Sequence, residues 1–169
     1  MTMKRVRELL RTLYETKASL RELGVLQSER FTDELGEWLV EKAYNGTRVD
    51  STSQPGWDVI ATEGGREIRL QVKAHAKGKK NNARWTEIHA DSLAHFDRLV
   101  IVVLSDDYFI KEWYDIPTHA VRQVLVPTRK LPVVNWDKVQ GYAIDWRKLP
   151  SAALILSFEK GEKADGEVE

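Results

Sequence analysis

Residues 57–74 constrain the fold more than any other stretch. Trp57-Asp58-Val59-Ile60-Ala61 reads as a strand, and Glu63-Gly64-Gly65-Arg66 supplies a turn. From Glu67 to Ala74, Ile68, Leu70 and Val72 alternate with polar residues. Two extended runs around a Gly-Gly pair predict a β-hairpin with one apolar and one polar face. The unbroken run Leu99–Leu104 predicts a strand buried on both sides. Ser105-Asp106-Asp107 reads as a turn and Lys111–Ile116 as a further strand.

Helical periodicity covers the start of the chain. Val6, Leu9, Leu10, Leu13, Leu20 and Leu23 predict a helix over 4–23 that stops at Gly24. A second helix is expected from about Ser28, its N-cap, to Tyr44, with Phe31, Leu35, Trp38 and Leu39 as its apolar stripe. Arg48-Val49-Asp50 reads as a short strand and Ser51–Gly56 as a loop. A short helix over Asp91–Phe96 and one opened by Pro117 and running to about Leu125 complete the readable part. Trp136, Tyr142, Trp146, Leu154 and Leu156 suggest a packed end, without a clear period between 127 and 158. The organisation expected is an N-terminal helix (1–27), one α/β domain (28–158) and a disordered acidic tail (159–169).

Composition removes several function classes. The chain has 169 residues and no cysteine, which excludes a disulfide framework and thiolate metal sites and fits a reducing cytoplasm. No apolar run is long enough to span a bilayer, and Lys4, Arg5 and Arg7 precede no signal-like apolar stretch. The 26 Lys plus Arg balance the 26 Asp plus Glu, but the charges are segregated. Glu29, Asp33, Glu34, Glu37 and Glu41 make one helix acidic, while Arg66–Arg84 holds seven basic residues and one acid. A phosphate backbone responds to the local field, so the zero total leaves a nucleic-acid partner open.

The polar face of the hairpin carries the candidate chemistry. Gln71 and Lys73 lie two apart on one strand and share a face, which also receives Asp58 if the hairpin closes at Gly64-Gly65. A carboxylate, an amide oxygen and a backbone carbonyl are ligands that a hard divalent cation prefers. Asp58 is then the anionic ligand, with the Gln71 side-chain oxygen and the Val72 carbonyl beside it. Such a cation activates water and stabilises charge on a phosphate oxygen. Lys73 is placed to orient or deprotonate that water, or to stabilise the developing charge.

At these residues the chain resembles the PD-(D/E)xK nuclease superfamily. Gly36-Glu37 looks like its helical glutamate, Pro55-Gly56-Trp57-Asp58 like its first strand motif and Gln71-Val72-Lys73 like its second. Leu99–Leu104, preceded by Phe96-Asp97, is similar to the following core strand. The chain departs from the pattern in having two residues between Pro55 and Asp58, and in having Gln71 at the second acidic position. A glutamine there is similar to the Mrr-type restriction endonucleases. The resemblance implies a restriction endonuclease-like α/β core, a mixed central β-sheet flanked by helices, with an extra N-terminal helix here. It implies a Mg²⁺-dependent endonuclease that hydrolyses DNA, with Mn²⁺ able to substitute, in restriction, phage defence, repair or recombination. Glu37, Asp58, Gln71 and Lys73 are its catalytic set. Glu37 restores the negative charge that Gln71 lacks, and it is preferred over Glu34 and Glu41 because it follows Gly36.

The basic stretch supplies the expected DNA contacts. Lys77, Lys79, Lys80 and Arg84 would reach phosphates, with Asn81 and Asn82 as further donors and Gly78 as a pivot. Trp85 is placed to stack on a base, and His75 shares the face of Lys73 and could touch phosphate. His89, His95 and His119 have no metal-ligand spacing. A DNA-binding module without turnover is the alternative reading. The leucine-rich first helix is a candidate surface for a homodimer.

Overall fold

The structure is a computed structural model that describes residues 3–26, 30–49, 56–77, 83–105 and 108–160. Its helices are α1 (Met3–Glu22), α2 (Phe31–Ala43), α3 (Thr118–Val124) and α4 (Ala152–Lys160). Its strands are β1 (Thr47–Arg48), β2 (Val59–Glu63), β3 (Arg66–Lys77), β4 (Trp85–Glu87), β5 (Arg98–Ser105), β6 (Ile110–Pro117), β7 (Leu125–Val126) and β8 (Val133–Asn135).

The hairpin closes where the sequence predicts. Glu63 pairs with Arg66, and both turn glycines have positive φ (Gly64 56°, Gly65 77°), which L-residues resist. β2 and β3 sit at the centre of a five-stranded sheet in the order β1-β2-β3-β5-β6, and β3 and β5 run parallel. The other pairings are antiparallel, so the sheet is mixed. β4, β8 and β7 form a second, three-stranded antiparallel sheet. This is the α/β architecture expected, with helices flanking a mixed central sheet.

The parity of the strands divides the core. Leu70, Val72, Val100, Val102 and Leu104 face α2, where Leu35, Leu39 and Val40 cover them. Leu99, Ile101, Val103, Tyr114 and Ile116 face the other way, toward Val134, Trp136 and α3. Layers on both faces explain why Leu99–Leu104 is unbroken apolar sequence.

Several boundaries differ from the sequence reading. α2 starts at Phe31 rather than Ser28, which lies outside the described residues. Pro117 precedes α3 instead of opening it, and Leu125 belongs to β7. Trp57 and Asp58 lie just ahead of β2, although Asp58 N still donates to Leu70 O at 2.8 Å. Asp91–Phe96 resolves into a 3₁₀ turn over Ala90–Ala94. The C-terminal region consists of β8, three 3₁₀ turns and α4. Glu159 falls inside α4, and residues 161–169 of the expected tail lie outside the described residues, as do Asp50, most of the Ser51–Gly56 loop, Asp106 and Asp107.

Candidate functional site

The hairpin register brings Asp58 opposite Gln71. Asp58 Oδ2 accepts from Gln71 Nε2 at 2.5 Å and from Val72 N at 2.7 Å. Gln71 Nε2 also lies 3.5 Å from Val72 O. One amide donor therefore sits between a carboxylate and a carbonyl oxygen, both electron-rich. Burial pushes the Asp58 carboxyl above its ordinary range, against the Val72 N–H and the positive charges of Lys73 and Arg30. Lys73 follows two residues along β3, half-buried on the same face as Gln71.

The helical acid arrives by a close packing contact. A Cβ on Gly36 would lie 2.3 Å from Ala74 Cβ and 3.8 Å from Val72 Cγ1, so α2 rests directly on the Ala74 methyl of β3. That contact holds the first turns of α2 over the strand that carries Gln71 and Lys73. Glu34 is buried there, with 5% of its surface exposed. Glu37 is pushed up to about 7, first by burial and then by Asp58 and Glu34, while Arg30 and Arg48 pull the other way. Glu41 is instead paired with Arg48 at 3.0 Å. Of the three acids weighed on this helix face, Glu34 and Glu37 enter the field of the site and Glu41 is held by an arginine.

Asp58, Glu37 and the Val72 carbonyl carry oxygen ligands suited to a hard cation, and Gln71 adds one when its amide is turned, since Nε2 faces Asp58 here. Mutual repulsion among buried carboxylates is the arrangement that a cation relieves. Among the described residues there is no group of three His, Cys, Asp or Glu side chains spaced to hold a metal ion. The donor set here reaches past such side chains only through an amide and a backbone carbonyl.

A pocket of about 380 Å³ opens beside these residues, lined by Gly56, Gln71, Lys73, Ile88, His89, Asp91, Ser92 and His95. The sequence reading missed His89, Asp91 and His95 because only the chain crossover between β3 and β5 carries them back to Lys73. One local signal was present. Gly56 has φ of 110°, and a Cβ there would lie 2.7 Å from His95 Cβ. The turn before Asp58 thus packs directly on that histidine.

The expected DNA contacts are placed unevenly. Lys77 ends β3, while Lys79, Lys80, Gly78, Asn81 and Asn82 lie outside the described residues. Trp85 is 45% exposed on β4. Arg84 requires correction. Its guanidinium donates to Glu112 at 2.8 and 3.0 Å, to Asp137 at 2.8 Å and to the Tyr114 hydroxyl at 3.1 Å. Those bonds raise the Arg84 pKa and depress that of Glu112, so its charge is neutralised within the fold. His75 also requires correction. Its Nε2 lies 2.8 Å from Thr86 Oγ1, and its ring lies 5.1 Å from that of Trp136. Thr86 is fully buried and also accepts from Trp136 Nε1 at 2.8 Å. His75 joins the two sheets instead of facing a phosphate.

No protein-family model matches the chain, and no curated protein matches it. Among solved structures, it is similar to the Holliday junction resolvase Hjc of Archaeoglobus fulgidus, with a TM-score of 0.41 and 16% identity. That match covers 70% of this chain and 91% of the other. Among the described residues no helix is long and apolar enough to cross a membrane.

Proposed function

We propose that the chain is a divalent-metal-dependent nuclease that hydrolyses DNA phosphodiester bonds. The observation that carries this reading is the hydrogen-bonded pair Asp58 and Gln71, with Lys73 on the same strand face and Glu37 of α2 raised by the charge of Asp58. Asp58, the Val72 carbonyl, Gln71 through its amide oxygen, and Glu37 would hold Mg²⁺, with Mn²⁺ as a substitute. The cation would supply Lewis acidity toward a phosphate oxygen and a lowered pKa for water. Lys73 places a positive charge where a pentacovalent phosphate gathers negative charge, and its amine is within the same face to orient the attacking water. Gln71 turns its amide to present oxygen in place of nitrogen, which releases Asp58 Oδ2 from its present hydrogen bond.

Phosphate contacts in this reading come from Lys77, Lys79 and Lys80, with Trp85 as the stacking surface; Arg84 and His75 leave the set. Cutting both strands needs two such sites. A second copy joined through the N-terminal segment 1–27 fits that need, since α1 exposes Leu13 and Tyr14 by 52% and 72%. Restriction, phage defence, repair and recombination in the cytoplasm all suit the chemistry.

Plasmid and branched DNA incubated with Mg²⁺ or Mn²⁺ test the reading. Cleavage by the parent is expected, with a loss of at least about 10³-fold in Asp58→Ala and about 10²-fold or more in Lys73→Ala. Cleavage untouched by both substitutions would remove the site. Salt-sensitive DNA binding without cleavage under any metal favours the second reading, a binding module, which the neutral Gln71 supports.

A further inference from the structure

The pocket beside Lys73 has two unlike walls. One is Gln71 and Lys73 of β3, and the other is the segment from His89 to His95. That segment is held rigidly. Ser92 Oγ donates to His89 O at 2.6 Å, His95 N donates to Ser92 O at 2.9 Å, and Arg122 Nη2 donates to Leu93 O at 2.9 Å. Leu93 and Phe96 are buried in the core behind it. With those two side chains facing inward, His89, Asp91, Ser92 and His95 are left to line the opening.

The charges oppose each other across the opening. Lys73 attracts a phosphate on one side, while the Asp91 carboxylate repels one on the other. Ile88 adds an apolar surface and the two imidazoles add flat faces. A volume of about 380 Å³ lies at the low end of small-molecule pockets and suits one nucleoside. A group that is anionic at one end, flat and apolar in the middle, and rich in N–H at the far end meets all three conditions.

We propose that this pocket receives the base adjoining the scissile phosphate, and that Asp91 selects it by accepting from an exocyclic amino group. The inference rests on the nuclease reading and adds base selection at the same site. Cytosine N4, adenine N6 and guanine N2 are exocyclic amino donors, whereas thymine has none and presents O4, an acceptor that a carboxylate opposes. His89 and His95 are positioning residues that flank the base. Gly56 keeps His95 in place by packing on it without a side chain.

The test uses the full chain and oligonucleotides with each of the four bases at each position flanking the cut. With Mn²⁺, cleavage is expected about ten-fold slower when thymine, rather than cytosine, adenine or guanine, occupies one of those positions. Asp91→Ala is expected to bring the four bases to one level, and Asp91→Asn to admit thymine. Base-independent cleavage by the parent, or a preference that survives Asp91→Ala, overturns the proposal. If no oligonucleotide is cut, the nuclease reading fails and the pocket is tested separately by fluorescence anisotropy of the same set without metal. A matching preference in affinity, lost in Asp91→Ala, then supports the base site, and equal affinities overturn it.

Discussion

Around Asp58 the fold gathers like charges; around Arg84 it gathers opposite ones. In the first cluster, burial holds Glu37 and Asp58 above the ordinary carboxylate range, and the charges of Asp58 and Glu34 push Glu37 further up. In the second, Arg84 bonds Glu112, Asp137 and Tyr114, and Glu112 is held below that range. Thr86, His75 and Trp136 lie beside it with their hydrogen bonds made. The second cluster is at rest and fastens the small sheet to the large one. In the first, two buried carboxylates stay raised, which the proposed cation would relieve.

Substitutions break this contrast at graded cost. The largest effect is expected from Thr86→Val, which strips the buried Trp136 N–H of its acceptor. A loss of about 2 kcal/mol is expected in urea unfolding. A loss below about 0.5 kcal/mol would mean that the hydroxyl does not join the sheets.

Next comes Glu37→Gln, with the opposite sign. The folded chain favours protonated Glu37, so the stability linked to this group is full below about pH 4.5. It is lost as the pH rises through about 7. Glu37→Gln lacks that decline. It is expected to gain about 1–2 kcal/mol over the parent at pH 8 and nothing comparable at pH 4.5. Parallel stability–pH curves would show that Glu37 is not raised.

The smallest effect belongs to Arg84→Met. Its partners are half open to water, so about 1 kcal/mol or less is expected, falling with added salt. A much larger loss would make the second cluster a stability centre rather than a fastening.

The sequence revealed the parts governed by short-range rules. Gly64-Gly65 and the alternation beyond it specified the hairpin, and with it the meeting of Asp58, Gln71 and Lys73. Six consecutive apolar residues marked β5. Glu37 was legible through its glycine, because Gly36 is where helix and strand touch. What escaped was set by distant partners. Arg84 finds Glu112 and Asp137 at separations of 28 and 53 residues, so one arginine of a basic run became a clamp within the fold. His75 read as a phosphate contact because its partner, Thr86, sits on a three-residue strand with no detectable period. Residues 127–158 resisted for the same reason. Ahead of α4, their one strand and each of their 3₁₀ turns have three residues, too short for any periodicity to show.

The bare contact between Gly36 and Ala74 has a consequence for ion choice. With only the Ala74 methyl between the helix backbone and the strand, this contact acts as the ruler that sets how far the helical carboxylate stands from the strand. In the proposed centre that spacing is the width offered to the ion. Mg²⁺ demands a tight shell and Ca²⁺ a wider, looser one. A single methyl at position 36 would therefore act as a shim. It would widen the gap from a residue that never touches the ion and bias the site toward the larger cation.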